Sequence, residues 1–209
     1  MSVFDSAKIS LAASALMLPL IASAASTVTT GTGTITATAT VNFTVVIPQY
    51  LYLRVGTGSS YTTGALTTVG TTDLITFSPA VGSVGNGTAV AGVGGDLTGG
   101  VETAAVLGNG GNVTLTAAAT GPLTDSTGDT IPFTQITTAA AANTTGYTTL
   151  AAPALSNTSS SETITATNKV VKADAKWTFS YANSTAEPAG TYGGTTALNG
   201  VVTYTASMP

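Results

Sequence analysis

The residues that could do chemistry are few and scattered in this chain. It carries nine Asp and Glu, five Lys and Arg, and neither Cys nor His. Without Cys there can be no disulfide, zinc–thiolate site or cysteine nucleophile. Without His the chain lacks both the usual proton shuttle near neutral pH and the commonest metal ligand. Asp125 and Asp129 flank the turn DSTGD, which could offer two carboxylates to calcium. Calcium takes six to eight oxygens, however, and the Asp-x-Asp-x-Asp-Gly spacing of a calcium loop is missing, so the segment reads as an Asp-rich turn. Asp73, Asp96, Glu102 and Glu162 show no spacing that marks general acid–base work. Ser, Thr and Lys are present without a Ser–Lys signature. The Gly-rich stretches at 92–96 and 108–112 precede no helix pattern, which argues against a phosphate cradle. The expectation is a protein that is not an enzyme and has no catalytic residue, metal or cofactor.

Four further groups have a functional and a plainer reading. Lys169, Lys172 and Lys176 with Asp174 beside Trp177 could form a binding patch; charges that discourage edge pairing on an exposed strand explain them as well. A Lys–Asn crosslink is conceivable in a Cys-free surface protein, but it needs an environment that activates the lysine. Asn-x-Ser/Thr triplets at Asn42, Asn86, Asn112, Asn143, Asn157 and Asn183 arise by chance in a chain that is about one-fifth Thr. The pairs Tyr50/Tyr52 and Trp177/Tyr181 could stack on sugars, although alternating aromatics on strands more often fill a core.

The elements that must carry these residues are strands. Hydrophobic residues make up 43% of the 209 and charged residues only 7%, with 24 Gly. Such a composition has enough apolar surface to escape disorder. Abundant Thr suits half-buried pleated surfaces. A net charge of −4 with so few cations excludes nucleic acid as a partner, since phosphate neutralisation needs clustered Lys and Arg. Residues 1–24 have the outline of a secretory signal helix: Lys8, an apolar run from Ile9 to Ile21, Pro19, then Ala22-Ser23-Ala24. The run is shorter than the ~20 residues that span a bilayer. It predicts export, cleavage before Ala25 and no stable membrane insertion afterwards.

The most informative stretch runs from Gly33 to Ile47. Ile35, Ala37, Ala39, Val41, Phe43, Val45 and Ile47 alternate with Thr34, Thr36, Thr38, Thr40, Asn42 and Thr44. Period-two alternation predicts a strand with one buried face. Fully extended it would reach about 50 Å, beyond an ordinary strand. Such a run either bends into two strands, forms the first strand of a self-contained sandwich or leaves its domain in part; it divides the chain into a signal (1–24), an N-terminal extension and candidate donor strand (25–47), and a β-domain (48–209). Within the domain, short runs at 49–55, 74–77, 101–107, 112–118, 131–136 and 162–167 lie between Gly- and Pro-rich turns, the pattern of a sandwich or barrel. Residues 138–160 have weak periodicity and read as a long loop. Two alternating segments, 175–182 and 200–208, close the chain and read as a final antiparallel pair.

The ending Pro188-Ala-Gly-Thr-Tyr192, followed by Val201-Val-Thr-Tyr-Thr205, resembles the last strands of secreted bacterial pilin-like β-sandwiches. These are the spore-coat-U-like and chaperone–usher-pilin-like superfamilies, together with Gram-negative surface proteins. Gly111–Thr116, Gly128–Phe133 and Trp177–Asn183 add to the likeness, which covers about a third of the chain after residue 24. The resemblance implies an all-β, Ig-like antiparallel sandwich whose subunits exchange N-terminal donor strands. Two departures are the missing disulfide and the Ser207-Met208-Pro209 end in place of a penultimate aromatic.

On that basis the expected protein is a secreted, cell-surface structural subunit, a fimbrium-like filament or biofilm fibre that polymerises with itself. Ile35, Ala37, Ala39, Val41, Phe43 and Val45 would form the subunit interface. A monomeric adhesin that binds surface glycans is the alternative. An outer-membrane barrel fits less well, because it wants aromatic girdles and aromatics are 6% here.

Overall fold

The computed structural model describes residues 26–56, 66 and 70–209. The secretory-signal expectation for residues 1–24 therefore lies outside the described residues. The chain divides into two compact units between Ile47 and Pro48.

In the first unit, residues 26–47 contain no strand; Thr40 holds a lone bridge position, and every residue is exposed. Phe43 is 88% and Val45 82% exposed. The alternation that predicts a half-buried strand is thus present as a pattern, but neither of its faces is covered. A strand is defined by the ladder it shares with a neighbour, and sequence periodicity alone does not supply that neighbour.

The second unit is all-β. Its strands are β1 (Leu51–Val55), β2 (Ile75–Thr76), β3 (Val90–Ala91), β4 (Val93–Gly94), β5 (Val101–Gly108), β6 (Val113–Ala118) and β7 (Leu123–Thr124). After these come β8 (Thr130–Ile131), β9 (Ile136–Ala141), β10 (Thr148–Thr149), β11 (Ser159–Ile164), β12 (Val171–Tyr181) and β13 (Thr203–Ser207). The larger sheet has the order β1-β5-β12-β10, with β3 and β9 also paired to β12. The smaller one is β11-β6-β13, and two hairpin-like pairs, β2-β4 and β7-β8, stand apart. All pairings are antiparallel except the two-residue β10-β12 contact.

One core joins the two larger sheets, an arrangement consistent with a β-sandwich. It contains Ala104 and Val106 of β5, Val113, Leu115 and Ala117 of β6, and Val171, Ala173, Ala175, Trp177 and Phe179 of β12. Each set occupies alternate positions, so the period-two pattern of the sequence is the inner face of the sheets. Trp177 is fully buried and its indole Nε1 donates to the Leu150 carbonyl at 2.8 Å, which satisfies the one polar atom the ring takes inside.

Two expectations change. The alanine-rich stretch after Ile136 is not loop: β9 pairs with β12 from Ile136↔Tyr181 to Ala141↔Lys176. Ala carries little strand propensity of its own, and the long β12 edge supplies the ladder that the local sequence does not ask for. The two closing segments are not a pair either. β12 belongs to the larger sheet, whereas β13 pairs with β6 in the smaller one. Alternation reports which face is buried and is silent about which strand lies alongside.

Candidate functional site

A groove of about 910 Å³ runs within the second unit, a volume in the upper part of the range of ligand-binding clefts. Leu53 and Val55 of β1, Ile75 of β2, Leu123 of β7, Phe179 of β12 and Tyr204 of β13 are among its walls. Most of these are core-facing side chains that remain half-buried: Leu53, Val55, Ile75, Leu123 and Tyr204 all pack against the core without being enclosed. Tyr204 packs against Trp177 with ring centroids 5.4 Å apart and the rings tilted by 42°. Burial pushes its phenol well above the usual range, with the charge of Glu102 adding to the effect.

The groove lies beside strand edges. β13 is an edge of the smaller sheet and β1 an edge of the larger; among the described residues each has one partner, β6 and β5 respectively. The two edge strands are neighbours across the fold, and Gln49 Nε2 donates to the Pro209 carbonyl at 2.9 Å, tying the entry of β1 to the exit of β13. The Asn109 side chain holds the same entry point, donating to the Pro48 carbonyl and accepting from the Tyr50 N–H, both at 2.8 Å. An unpaired edge beside exposed apolar surface is what a sheet presents when one strand is missing.

One wall of the groove carries acids that sequence spacing does not single out. Glu102 sits on β5 in line with the inward Ala104 and Val106, and the residue is 5% exposed. Burial, opposed by the Asp96 N–H and reinforced by the negative charges of Asp73 and Asp96, raises its carboxyl from 4.5 to about 7. The Asp96 N–H donates to Glu102 Oε2 at 3.2 Å. Asp96 also accepts from the Thr103 N–H at 2.8 Å and from the Thr103 hydroxyl, and pairs with Arg54 at 3.6 Å. Gly56 makes this possible. It has φ +71°, and a Cβ there would meet Glu102 Oε2 at 2.5 Å and Asp73 Oδ2 at 2.6 Å. The signal for this cluster was a Glu at an inward position of an apolar strand, VETAAVLG.

The other sequence candidates fall as follows. The Asp125 carboxylate accepts from the N–H groups of Thr127, Gly128 and Asp129 and from the Thr127 hydroxyl. The Thr127 hydroxyl leads in holding its carboxyl below the usual range, and the backbone donors add to it. The segment is a self-satisfied Asx turn. Among the described residues no group of three or more His, Cys, Asp or Glu is placed to hold a metal ion.

Asp174 does not belong to a surface charge cluster. It is buried on β12 and accepts from Asn143 Nδ2 at 3.2 Å, the Thr144 N–H at 3.1 Å and the Thr144 hydroxyl. Lys169, Lys172 and Lys176 are exposed. Asn183 is buried, donating to the Ser83 carbonyl at 2.7 Å and accepting from the Gly85 N–H at 2.8 Å, so this triplet serves as a loop clamp. Trp177 is fully buried and off the groove, Tyr181 is buried in the groove wall, Tyr50 is 38% exposed and Tyr52 half-buried. Ile35, Ala37, Ala39, Val41, Phe43 and Val45 are all exposed. Among the described residues no helix is long and apolar enough to cross a membrane. Compared with protein-family models, with curated proteins and with solved structures, the chain finds no match.

Proposed function

We propose that this chain is an exported structural subunit of a cell-surface filament or matrix fibre. Its domain is a pilin-like, Ig-like sandwich short of one strand, and the strand comes from the N-terminal extension of another copy. Ile35, Ala37, Ala39, Val41, Phe43 and Val45 are the knobs that enter the groove.

One observation carries this reading: the domain has a half-covered apolar groove beside β13, whose outer edge has no partner among the described residues, and the same chain carries a long alternating run whose apolar side chains are exposed. Strand addition satisfies both. The backbone of an incoming strand pairs with the unpaired N–H and C=O groups of the edge, and its alternate side chains fill pockets. An exposed edge of this kind is a template for pairing with another chain, which soluble monomers usually blunt with charge or Pro. Here β13 reads Thr-Tyr-Thr-Ala-Ser and bears no charge.

Electron microscopy and sedimentation of the purified protein test the reading. Wild type forms fibres. Deleting residues 26–40 abolishes them, and Phe43→Asp raises the critical concentration by tenfold or more, because a buried Phe contributes about 1.5–3 kcal/mol. A wild-type protein that stays monomeric at high concentration, or fibres indifferent to both changes, would rule the proposal out.

A further inference from the structure

Glu102 and Asp73 both line the groove, and their carboxyl oxygens converge on Gly56, where a Cβ would stand 2.5 Å from Glu102 Oε2 and 2.6 Å from Asp73 Oδ2. Around them lie Asp96, whose N–H reaches Glu102, Arg54 on β1, paired with Asp96, and Tyr204 on β13, whose phenol feels the charge of Glu102. The pair therefore stands between β1, the segment leading into β2, the β4–β5 turn and the β13 edge.

We infer that filling this groove with a strand is coupled to proton uptake by Glu102, beside Asp73, so that subunit joining is favoured in mild acid and opposed in mild alkali. The inference rests on the strand-complementation reading above. The negative charges of Asp73 and Asp96 favour the protonated form of Glu102, which when ionised adds a further negative charge to the cluster. While the groove is open, water reaches the exposed Asp73 and screens its charge from the buried Glu102. An apolar strand laid over them removes the water, and the doubly charged form becomes costlier while the singly protonated form loses little.

Linkage sets the sign. Glu102 titrates at about 7 in the folded chain, above its ordinary 4.5, so the folded state already holds a proton there that an unfolded chain would release between those values. Covering the groove moves the titration further up. Joining then takes up protons, and its affinity falls as pH rises through and beyond neutrality. If the strand makes the buried acid ten times weaker, the affinity changes about tenfold between the two ends of the titration.

The test uses the full chain, with the critical concentration for fibre formation measured by sedimentation between about pH 5 and about pH 9. A tenfold weaker acid in the filled groove makes the wild-type value about tenfold higher at the alkaline end. Glu102→Gln mimics the protonated form and should lose most of that difference, whatever remains reporting the overall negative charge. Asp73→Asn removes the neighbouring charge and should move the midpoint to lower pH. It serves as the decisive variant if Glu102→Gln does not fold. Fibres whose pH dependence is unchanged in both variants would overturn the proton coupling and leave strand complementation standing. Failure of wild type to form fibres at any pH would overturn strand complementation and this inference with it.

Discussion

Gly190 shows how one residue can carry a motif. It sits in the Pro188–Tyr192 segment, and a Cβ placed on it would meet Asp125 Oδ2 at 2.7 Å and Tyr192 Cε2 at 3.3 Å. The Asp125 carboxylate cannot yield easily, because three backbone N–H groups and a hydroxyl converge on it. The Tyr192 hydroxyl donates to the Pro188 carbonyl at 2.8 Å, closing the segment on itself. Small-to-large changes at such contacts cost about 1–3 kcal/mol. Gly190→Ala should therefore lower the unfolding free energy by that amount in a urea titration, whereas Ala189→Ser, one position away and exposed, should leave it within about 0.5 kcal/mol. Equal effects of the two would show that the close approach is not what makes the position glycine. The same scale contains Glu102. A Glu on the inner side of a sheet is readable from VETAAVLG once β5 is placed, but its two acidic neighbours come from positions 73 and 96 and no spacing announces them.

At the scale of elements, the β13 edge and the 33–47 run are the two halves of the proposed contact. β13 alternates Thr203, Thr205 and Ser207 outward with Tyr204 and Ala206 half-buried, and its pairing with β6 runs from Thr203↔Ala118 to Ser207↔Thr114. A second ladder along its other side would put outward residues of the donor beside these threonines. Because the chain has no Cys, engineered thiols report that contact cleanly. Single Cys substitutions at Thr40, Asn42 or Thr44, each combined with Thr205→Cys, should give one pairing that oxidises to a ladder of covalent multimers on a non-reducing gel. Disulfides require Cβ atoms about 3.5–4.5 Å apart, so one register should stand out. Multimers from none of the pairings, in preparations that contain fibres, would place the donor somewhere other than beside β13.

At the scale of the whole molecule, the sandwich-like core is held by packing and backbone pairing without a disulfide, since the chain has no Cys. Trp177, Leu115, Val106, Val113 and Val171 are fully buried, yet Leu53, Val55, Ile75, Leu123 and Tyr204 along the groove stop half-way. Covering them is a reserve of stability that the isolated domain does not draw on. Stabilisation by a partner follows mass action. The thermal midpoint should therefore rise with protein concentration across the range where fibres form, and Phe43→Asp should flatten that rise. A midpoint independent of concentration, measured by calorimetry over a range of about a hundredfold, would mean that assembly leaves the groove uncovered.

The order of apolar and polar side chains determined which positions face inward: Trp177, Phe179 and Tyr181 in β12, and Val202, Tyr204 and Ala206 at the end of the chain, are buried or half-buried on one side as the alternation requires. That much is local, because a pleated strand turns every second side chain the same way whatever lies beside it. Which strand lies beside which was decided in three dimensions. The alanines of β9 join a sheet because β12 offers them an edge, and β12 and β13 part company because β5 and β6 lie in different sheets. The groove, the unpaired edge beside it and the meeting of Asp73, Asp96 and Glu102 are products of those long-range pairings. Residues distant along the chain share hydrogen bonds and solvent exclusion only after the sheets have formed, so no periodicity in the amino-acid order can encode them in readable form.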